Sequence, residues 1–80
     1  MKVQVLVRLK AGVLDVQGKA VEHGLQGIGF NEIANVRVGK LVELEISAGG
    51  EEEARSKAEE MCQKLLVNPI IENYEIRTIS

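Results

Sequence analysis

Two periods of apolar residues alternate along this 80-residue chain, and their order constrains its fold more than any other feature. Apolar and polar side chains alternate over residues 2–10, as they do in a strand with one buried face. Apolar residues recur at helical spacing over residues 15–28 and 51–67. Three further segments have the composition of strands, namely residues 33–38, 41–47 and 70–79. The sequence therefore predicts the element order β-α-β-β-α-β.

That order is typical of the ferredoxin-like fold, an α+β arrangement. We expect a four-stranded antiparallel sheet with two helices on one of its faces. No linker, repeat or block of like charge interrupts the chain, so residues 1–80 are predicted to form a single domain. Because this fold supports many unrelated activities, the function has to be argued from individual residues.

The predicted helices carry boundary signals. Asp15 is placed to accept hydrogen bonds from the amide groups of the first helical turn, and Gly27-Ile28-Gly29 is typical of a helix end. Three glutamates begin the second helix, where the helix dipole favours negative charge. Asn68-Pro69 ends it, because proline cannot continue a helix.

The connection between the second and third predicted strands is open to more than one interpretation. Gly39-Lys40 would suit a two-residue hairpin loop, but that loop would divide the apolar residues between both faces of the sheet. A three-residue loop with a bulge keeps one apolar set together, namely Ala34, Val36, Val42, Leu44 and Ile46. In the third interpretation, a partner chain buries the second face.

Composition argues against several classes of function. The formal net charge of −2, from 10 basic and 12 acidic residues, disfavours a nucleic-acid binder held by phosphate contacts. The aromatic residues are Phe30 and Tyr74 alone, fewer than a base-stacking module uses. No apolar run approaches the ~20 residues of a membrane span. A single cysteine favours a reducing compartment, so we expect a cytoplasmic protein.

Residues that often carry catalysis are present, but not in catalytic patterns. Cys62 lies within an apolar helical stripe, where a free cysteine behaves as a small hydrophobe, and His23 has no second metal ligand nearby in sequence. Glu43 and Glu45 share one side of a strand, an arrangement more typical of a solvated face than of an acid pair. Gly49-Gly50 precedes a helix, but the glutamates that follow would repel a phosphate.

A basic group surrounds the predicted turn. Arg37, Gly39 and Lys40 belong to it, and Arg8 and Lys10 lie on a strand that could neighbour it. Such charges can protect a strand edge from aggregation, and physical chemistry alone favours that role. The functional interpretation is a docking point for an acidic partner surface.

Four groups of residues, in order and nearly from end to end, resemble the PurS family, the small subunit of phosphoribosylformylglycinamidine (FGAM) synthase. They are Val13-Leu14-Asp15 with Gln17-Gly18, residues 36–40, residues 60–66, and Asn68-Pro69 with Ile71-Glu72 and Tyr74. The chain departs from the family pattern at Val16, where proline is usual, and at Leu41, where an aromatic residue is usual. Proline in the first helical turn would preorganise the helix, so valine at position 16 affects the rigidity of the helix start more than the function.

The resemblance implies a subunit without an active site of its own, within an ATP-dependent ligase of purine biosynthesis. That enzyme uses ATP and glutamine to convert formylglycinamide ribonucleotide to the amidine. The large synthetase subunit would use ATP and Mg, and a glutaminase subunit would release ammonia. The PurS-type subunit would form a homodimer or tetramer and bring the other two together. No catalytic residue, metal or cofactor is therefore expected on this chain, and neither a nucleic acid nor a membrane is expected as partner.

The resemblance also implies which residues form the partner or oligomer interface. Asp15 and Gly18 would fix the start of the first helix, and Arg37, Gly39 and Lys40 would present a hairpin tip. The remaining interface residues would shape the last loop and strand, and they are Asn68, Pro69, Glu72 and Tyr74.

Two other functions share the predicted element order. A regulatory module of the ACT type binds small molecules near a glycine loop after its first strand, where this chain has Gly12. An acylphosphatase would match Val16-Gln17-Gly18, but the phosphate-binding arginine expected a few residues later is absent.

Overall fold

The strand β1 (Lys2–Leu9) runs through the middle of a three-stranded antiparallel sheet in a computed structural model that describes residues 1–79. It lies between β2 (Lys40–Glu45) and β3 (Glu72–Ile79). The alternation in β1 sets its two faces, because successive side chains of a strand point to opposite sides. Its core face carries Val3, Val5 and Val7, all fully or almost fully buried.

The core lies between this face of the sheet and the helix α2 (Glu51–Met61). Val5 of β1 stands opposite Val42 of β2 and Ile76 of β3, which forms the apolar layer under the helix. Ala54 and Ala58 of α2 are completely buried against this layer. Small side chains at these positions let the helix approach the sheet closely.

The helix α2 continues into a π-helical turn (Cys62–Leu66) that ends at the extended residue Val67. The second predicted helix, residues 51–67, is therefore helical up to Leu66. Cys62 is completely buried, and this burial raises the pKa of its thiol. The thiol is therefore part of the core, as its place in the apolar stripe predicts.

The helix α1 (Val16–Gly27) begins at the predicted cap, where the Asp15 carboxylate accepts a hydrogen bond from the Gly18 amide at 2.8 Å. Gly29, with φ of 107°, turns the chain away after the helix. Within residues 1–79, α1 contacts no other helix or strand. Its apolar side chains Val16 and Val21, and Ile28 at its C-terminal end, are exposed.

The prediction of a four-stranded sheet with two helices on one face is wrong. The sheet has three strands, and only α2 packs on it. Residues 33–38 do not pair as a strand, and two of their amide groups donate to carboxylates instead. The Val36 amide donates to the Glu22 carboxylate and the Val38 amide donates to the Asp15 carboxylate, while Asn35 has a φ of 56°, which interrupts an extended chain.

The predicted hairpin at Gly39-Lys40 is also wrong, with either loop length, since no strand precedes it. Gly39 is instead the point where the chain enters β2 from the side of α1. A Cβ atom on Gly39 would lie 2.5 Å from the Val7 carbonyl oxygen, so the glycine allows the segment to pass against β1. Lys40 then pairs directly with Val7 as the first residue of β2.

The chain is elongated. Its radius of gyration is 15.9 Å, and its principal extents are 50 × 27 × 14 Å. A compact chain of this length has a radius of gyration of about 12 Å. No helix in the described part of the chain has the length and hydrophobicity needed to cross a membrane.

Candidate partner-binding site

The end of the sheet where β1 finishes is where the predicted interface residues lie. Arg37 and the loop before β3 both form hydrogen bonds with Lys10 there. Tyr74 pairs with Val7 in the same region, but it packs against the core. The structure thus groups these residues at one end, whereas their role in an interface stays a prediction.

Asp15 joins the two segments that lead to this end. One carboxylate oxygen accepts from the Gly18 amide at 2.8 Å, and the other accepts from the Val38 amide at 2.7 Å. The Val38 and Gly18 amides hold the pKa of Asp15 below its ordinary value, and the charge of Arg37 adds to this effect. The side chain is almost fully buried, with 5% of its surface exposed. It therefore acts as a fixed structural anion.

Gly18 provides the space for that junction. A Cβ atom at this position would collide with the Val36 carbonyl oxygen and would lie 2.8 Å from an Asp15 carboxylate oxygen. Glu22, one turn further along α1, accepts a hydrogen bond from the Val36 amide at 3.2 Å. The first turns of α1 therefore hold residues 36–38 directly.

Arg37 is held in place by two backbone carbonyl groups. Its guanidinium donates to the Val13 oxygen at 2.9 Å and to the Lys10 oxygen at 3.1 Å. Arg37, Arg8 and Lys40 line a cleft of about 390 Å³ where β1 ends and β2 begins. Leu6, Arg8 and Leu41 belong to the sheet face that α2 leaves open, whereas Lys40, paired with Val7, belongs to the other face and lines the cleft from the start of β2. The structure therefore places Arg8 beside the predicted basic group.

The loop before β3 completes this end of the molecule. The Asn68 amide donates to the Glu72 carboxylate at 2.7 Å, and the Glu72 amide donates to the Asn68 carbonyl at 2.8 Å. The Lys10 ammonium group donates to the Pro69 carbonyl at 2.8 Å. These bonds fix the loop against the end of β1.

A second surface, the apolar groove, was not foreseen from the sequence. It measures about 440 Å³ and runs between β2 and the end of α2. Its apolar lining residues are Val42, Leu44, Met61, Leu65 and Leu66. The signal in the sequence was that Met61, Leu65 and Leu66 continue the apolar stripe of the second predicted helix beyond the buried Ala54, Ala58 and Cys62. Leu65 has 84% of its surface exposed.

No group of three or more histidine, cysteine, aspartate or glutamate side chains among residues 1–79 is placed to hold a metal. Glu43 accepts a hydrogen bond from Gln4 at 2.8 Å and faces Lys2 at 3.8 Å, so it belongs to a surface network.

Comparison with known proteins identifies the family. The family model for PurS, described as phosphoribosylformylglycinamidine (FGAM) synthase, matches residues 2–80. The chain belongs to the PurS family. It is 38% identical over 76 residues to the PurS subunit of Methanocaldococcus jannaschii, a match covering 95% of this chain and 92% of that protein. It is 47% identical over 73 residues to the Bacillus subtilis PurS subunit, which covers 91% and 86% respectively.

Solved PurS structures share the fold. The PurS subunit of Thermotoga maritima superposes with a TM-score of 0.90 at 32% identity, covering 98% of this chain and 90% of that one. A chain from the structure of PurLQS from the same organism superposes with a TM-score of 0.89 at 32% identity, covering 98% and 95%. PurS is a subunit of FGAM synthase in purine biosynthesis, so the predicted family and general function are confirmed. The ACT-type alternative is not favoured.

Proposed function

We propose that this PurS chain is a non-catalytic assembly subunit that holds the synthetase and glutaminase subunits of FGAM synthase together. Ammonia from glutamine is then used for the ATP-dependent conversion of formylglycinamide ribonucleotide to the amidine. The PurS chain in the PurLQS structure from Thermotoga maritima supports this proposal. ATP and Mg act in the large subunit, the PurS chain holds no cofactor of its own, and the assembly works in the cytoplasm.

The observation that carries the proposal is the amount of surface that the fold leaves without a partner. The helix α1 contacts no other helix or strand within residues 1–79, and the sheet lacks a fourth strand. An 80-residue chain has a small core even when compact. Exposed apolar patches of this kind mark interaction sites.

Part of this surface is covered by a second copy of the chain. The Met1 and Ile46 backbones exchange hydrogen bonds of 2.9 Å. Every second residue from Ile46 back to Lys40 therefore directs its backbone N–H and C=O groups toward β1. The alternate residues Leu41, Glu43 and Glu45 then direct their backbone groups to the open edge. Residues 33–38, which would complete the sheet in a ferredoxin-like fold, are bound to α1 instead. A second copy, as a homodimer or within a tetramer, supplies the missing neighbour.

The coupling role is tested by mixing the purified chain with the synthetase and glutaminase subunits of its host. We expect glutamine-dependent amidine formation to require the chain, and formation from free ammonia to require it much less. Light scattering of the mixture measures assembly. Equal rates with and without the chain, and no change in mass, would overturn the proposal.

The homo-oligomer is tested separately by light scattering of the chain alone. Leu65→Glu places a charge in the apolar groove, and Ser56→Glu is the control, since Ser56 is exposed on α2 but lies outside the groove and the predicted interface. We expect the first variant to lower the mass and the second to leave it unchanged. The same mass for both variants would exclude the groove as the contact.

A further inference from the structure

The basic cleft, formed by Arg8, Arg37 and Lys40 around Leu6 and Leu41, is separate from the apolar groove. Val7 points into the core, so its neighbours Leu6 and Arg8 point to the opposite face of the sheet. No helix covers that face among the described residues. A second copy in the apolar groove on the core side would leave the cleft open to a different protein.

The charge of the cleft is not balanced within the chain. Across residues 1–79, the basic residues that form ion pairs are Lys2, Lys57, Lys64 and Arg77, all away from the cleft. Three acids lie near the cleft, and each has another partner. Glu75, opposite Leu6, pairs with Arg77, and Glu72, opposite Leu9, accepts from the Asn68 amide. Asp15 accepts from two backbone amides. The cleft is therefore a local positive site on a chain whose formal net charge is −2.

One of the three cations is preorganised. Arg37 is fixed by the Val13 and Lys10 carbonyl groups, so little of its side-chain freedom would be lost on binding. Gly39 brings the backbone against β1, where a Cβ atom would lie 3.5 Å from Arg8 Cγ. The cations of two separate segments thus face the same opening.

The floor of the cleft is apolar. Leu6 and Leu41 stand directly opposite each other in the register of β1 and β2, on a face that is otherwise mostly polar. Leu41 has 53% of its surface exposed. A free phosphate would gain nothing from these leucines, whereas a peptide with an apolar side chain beside its carboxylates would bury them. None of the residues around the cleft is aromatic, so a nucleotide base would have no ring to stack on.

We propose that the basic cleft binds an acidic segment of one of the other FGAM synthase subunits, with carboxylates at Arg8, Arg37 and Lys40 and an apolar side chain on Leu6 and Leu41. This inference rests on the proposed assembly role and assigns one of its contacts. Arginine can pair with carboxylate in bidentate geometry, and lysine adds a point charge. Charged contacts at such a rim accelerate association and weaken with salt.

The test compares two double variants in complex assembly. Arg8→Ala with Lys40→Ala removes charge from the cleft, and Lys2→Ala with Lys57→Ala removes the same charge elsewhere on the exposed surface. Affinity for each subunit is measured by interferometry at low and high salt. We expect the cleft variant to lose about tenfold in affinity for one subunit at low salt, with a smaller loss at high salt. The control should lose less than about twofold.

Three results separate the possible failures. If both double variants bind both subunits equally well, the cleft is not the docking site, although the wild-type chain can still couple glutamine to amidine formation. If the wild-type chain does not stimulate that reaction, the assembly role itself fails. If inorganic phosphate shifts the amide spectrum of the chain at Arg8 and Lys40 while subunit affinity is unaffected by their loss, the ligand is a free anion and the peptide proposal is wrong.

Discussion

At the residue scale, Asp15 makes the stability of the fold depend on pH. Its pKa is lowered in the folded chain by the Val38 and Gly18 amides, so the folded state favours the carboxylate. The sign follows from linkage: this stabilisation is fully present above the ordinary pKa of about 3.8 and is lost as the pH falls through the lower folded value. Glu53, whose pKa is lowered mainly by the Gly49 amide, adds a further acid-sensitive contribution.

We expect Asp15→Asn to be less stable than the wild type at pH 7 and to lose less stability on acidification. The amide cannot carry the charge that the two backbone groups stabilise. Urea unfolding between pH 7 and pH 3 measures both effects, with Glu32→Gln, an exposed acid away from the junction, as control. If the free energy of unfolding of Asp15→Asn falls with pH as steeply as that of the wild type, the Asp15 carboxylate does not contribute to acid sensitivity.

Gly18 is the second residue whose replacement has a predictable sign. Alanine normally stabilises a helix interior by about 1 kcal/mol relative to glycine. At Gly18 the added methyl group would collide with the Val36 carbonyl, so we expect Gly18→Ala to destabilise the fold by about 1–3 kcal/mol. Gly24 lies on the same helix with nothing within 4 Å of an added Cβ, so Gly24→Ala should stabilise it. Denaturant unfolding of both variants checks the opposite signs, and equal shifts would contradict the close contact.

At the scale of elements, the packing of α2 depends on small side chains. Ala54, Ala58 and Cys62 are all completely buried against the sheet. We expect Ala58→Leu to cost about 1–3 kcal/mol, because the larger side chain would force the helix away from β1. Ser56→Leu, on the exposed side of the same helix, is the control and should change stability by less than about 0.5 kcal/mol. Equal effects in thermal unfolding would mean that the helix can move at little cost.

The elements that the sequence predicted correctly are those whose pattern reflects burial within one chain. The strand β1 alternates because α2 covers one face, and Asp15 marks the start of α1 because capping is local. Residues 33–38 have a strand-like composition, but the carboxylates that bind two of their amides belong to Asp15 and Glu22. Hydrogen bonds between residues this far apart in sequence produce no periodic pattern. The apolar side chains at helical spacing on α1 likewise do not show whether the same chain or another chain packs against them.

The candidate site was predictable to a similar extent. The resemblance assigned Arg37, Gly39 and Lys40 to an interface, and the structure places them around one opening with Arg8. The sequence placed them on a hairpin tip, because Gly-Lys between two apolar runs is typical of a turn. Leu6, an apolar residue on the polar face of β1, was the available hint of the cleft, and its meaning depended on Leu41 lying opposite.

At the scale of the whole molecule, the elongated shape predicts that stability depends on concentration. The extents of 50 × 27 × 14 Å leave α1 and the apolar groove without cover from the rest of the chain. If a second copy covers them, mass action stabilises the folded state as the concentration rises.

We expect the Tm to increase by about 5 °C over a hundredfold range of concentration, given the usual dependence of Tm on stability in small domains. Leu65→Glu should lower the Tm and reduce this dependence, because it places a charge in the groove. A Tm that is independent of concentration for the wild-type chain would mean that α1 and the groove stay uncovered by a second copy and are left to the other subunits.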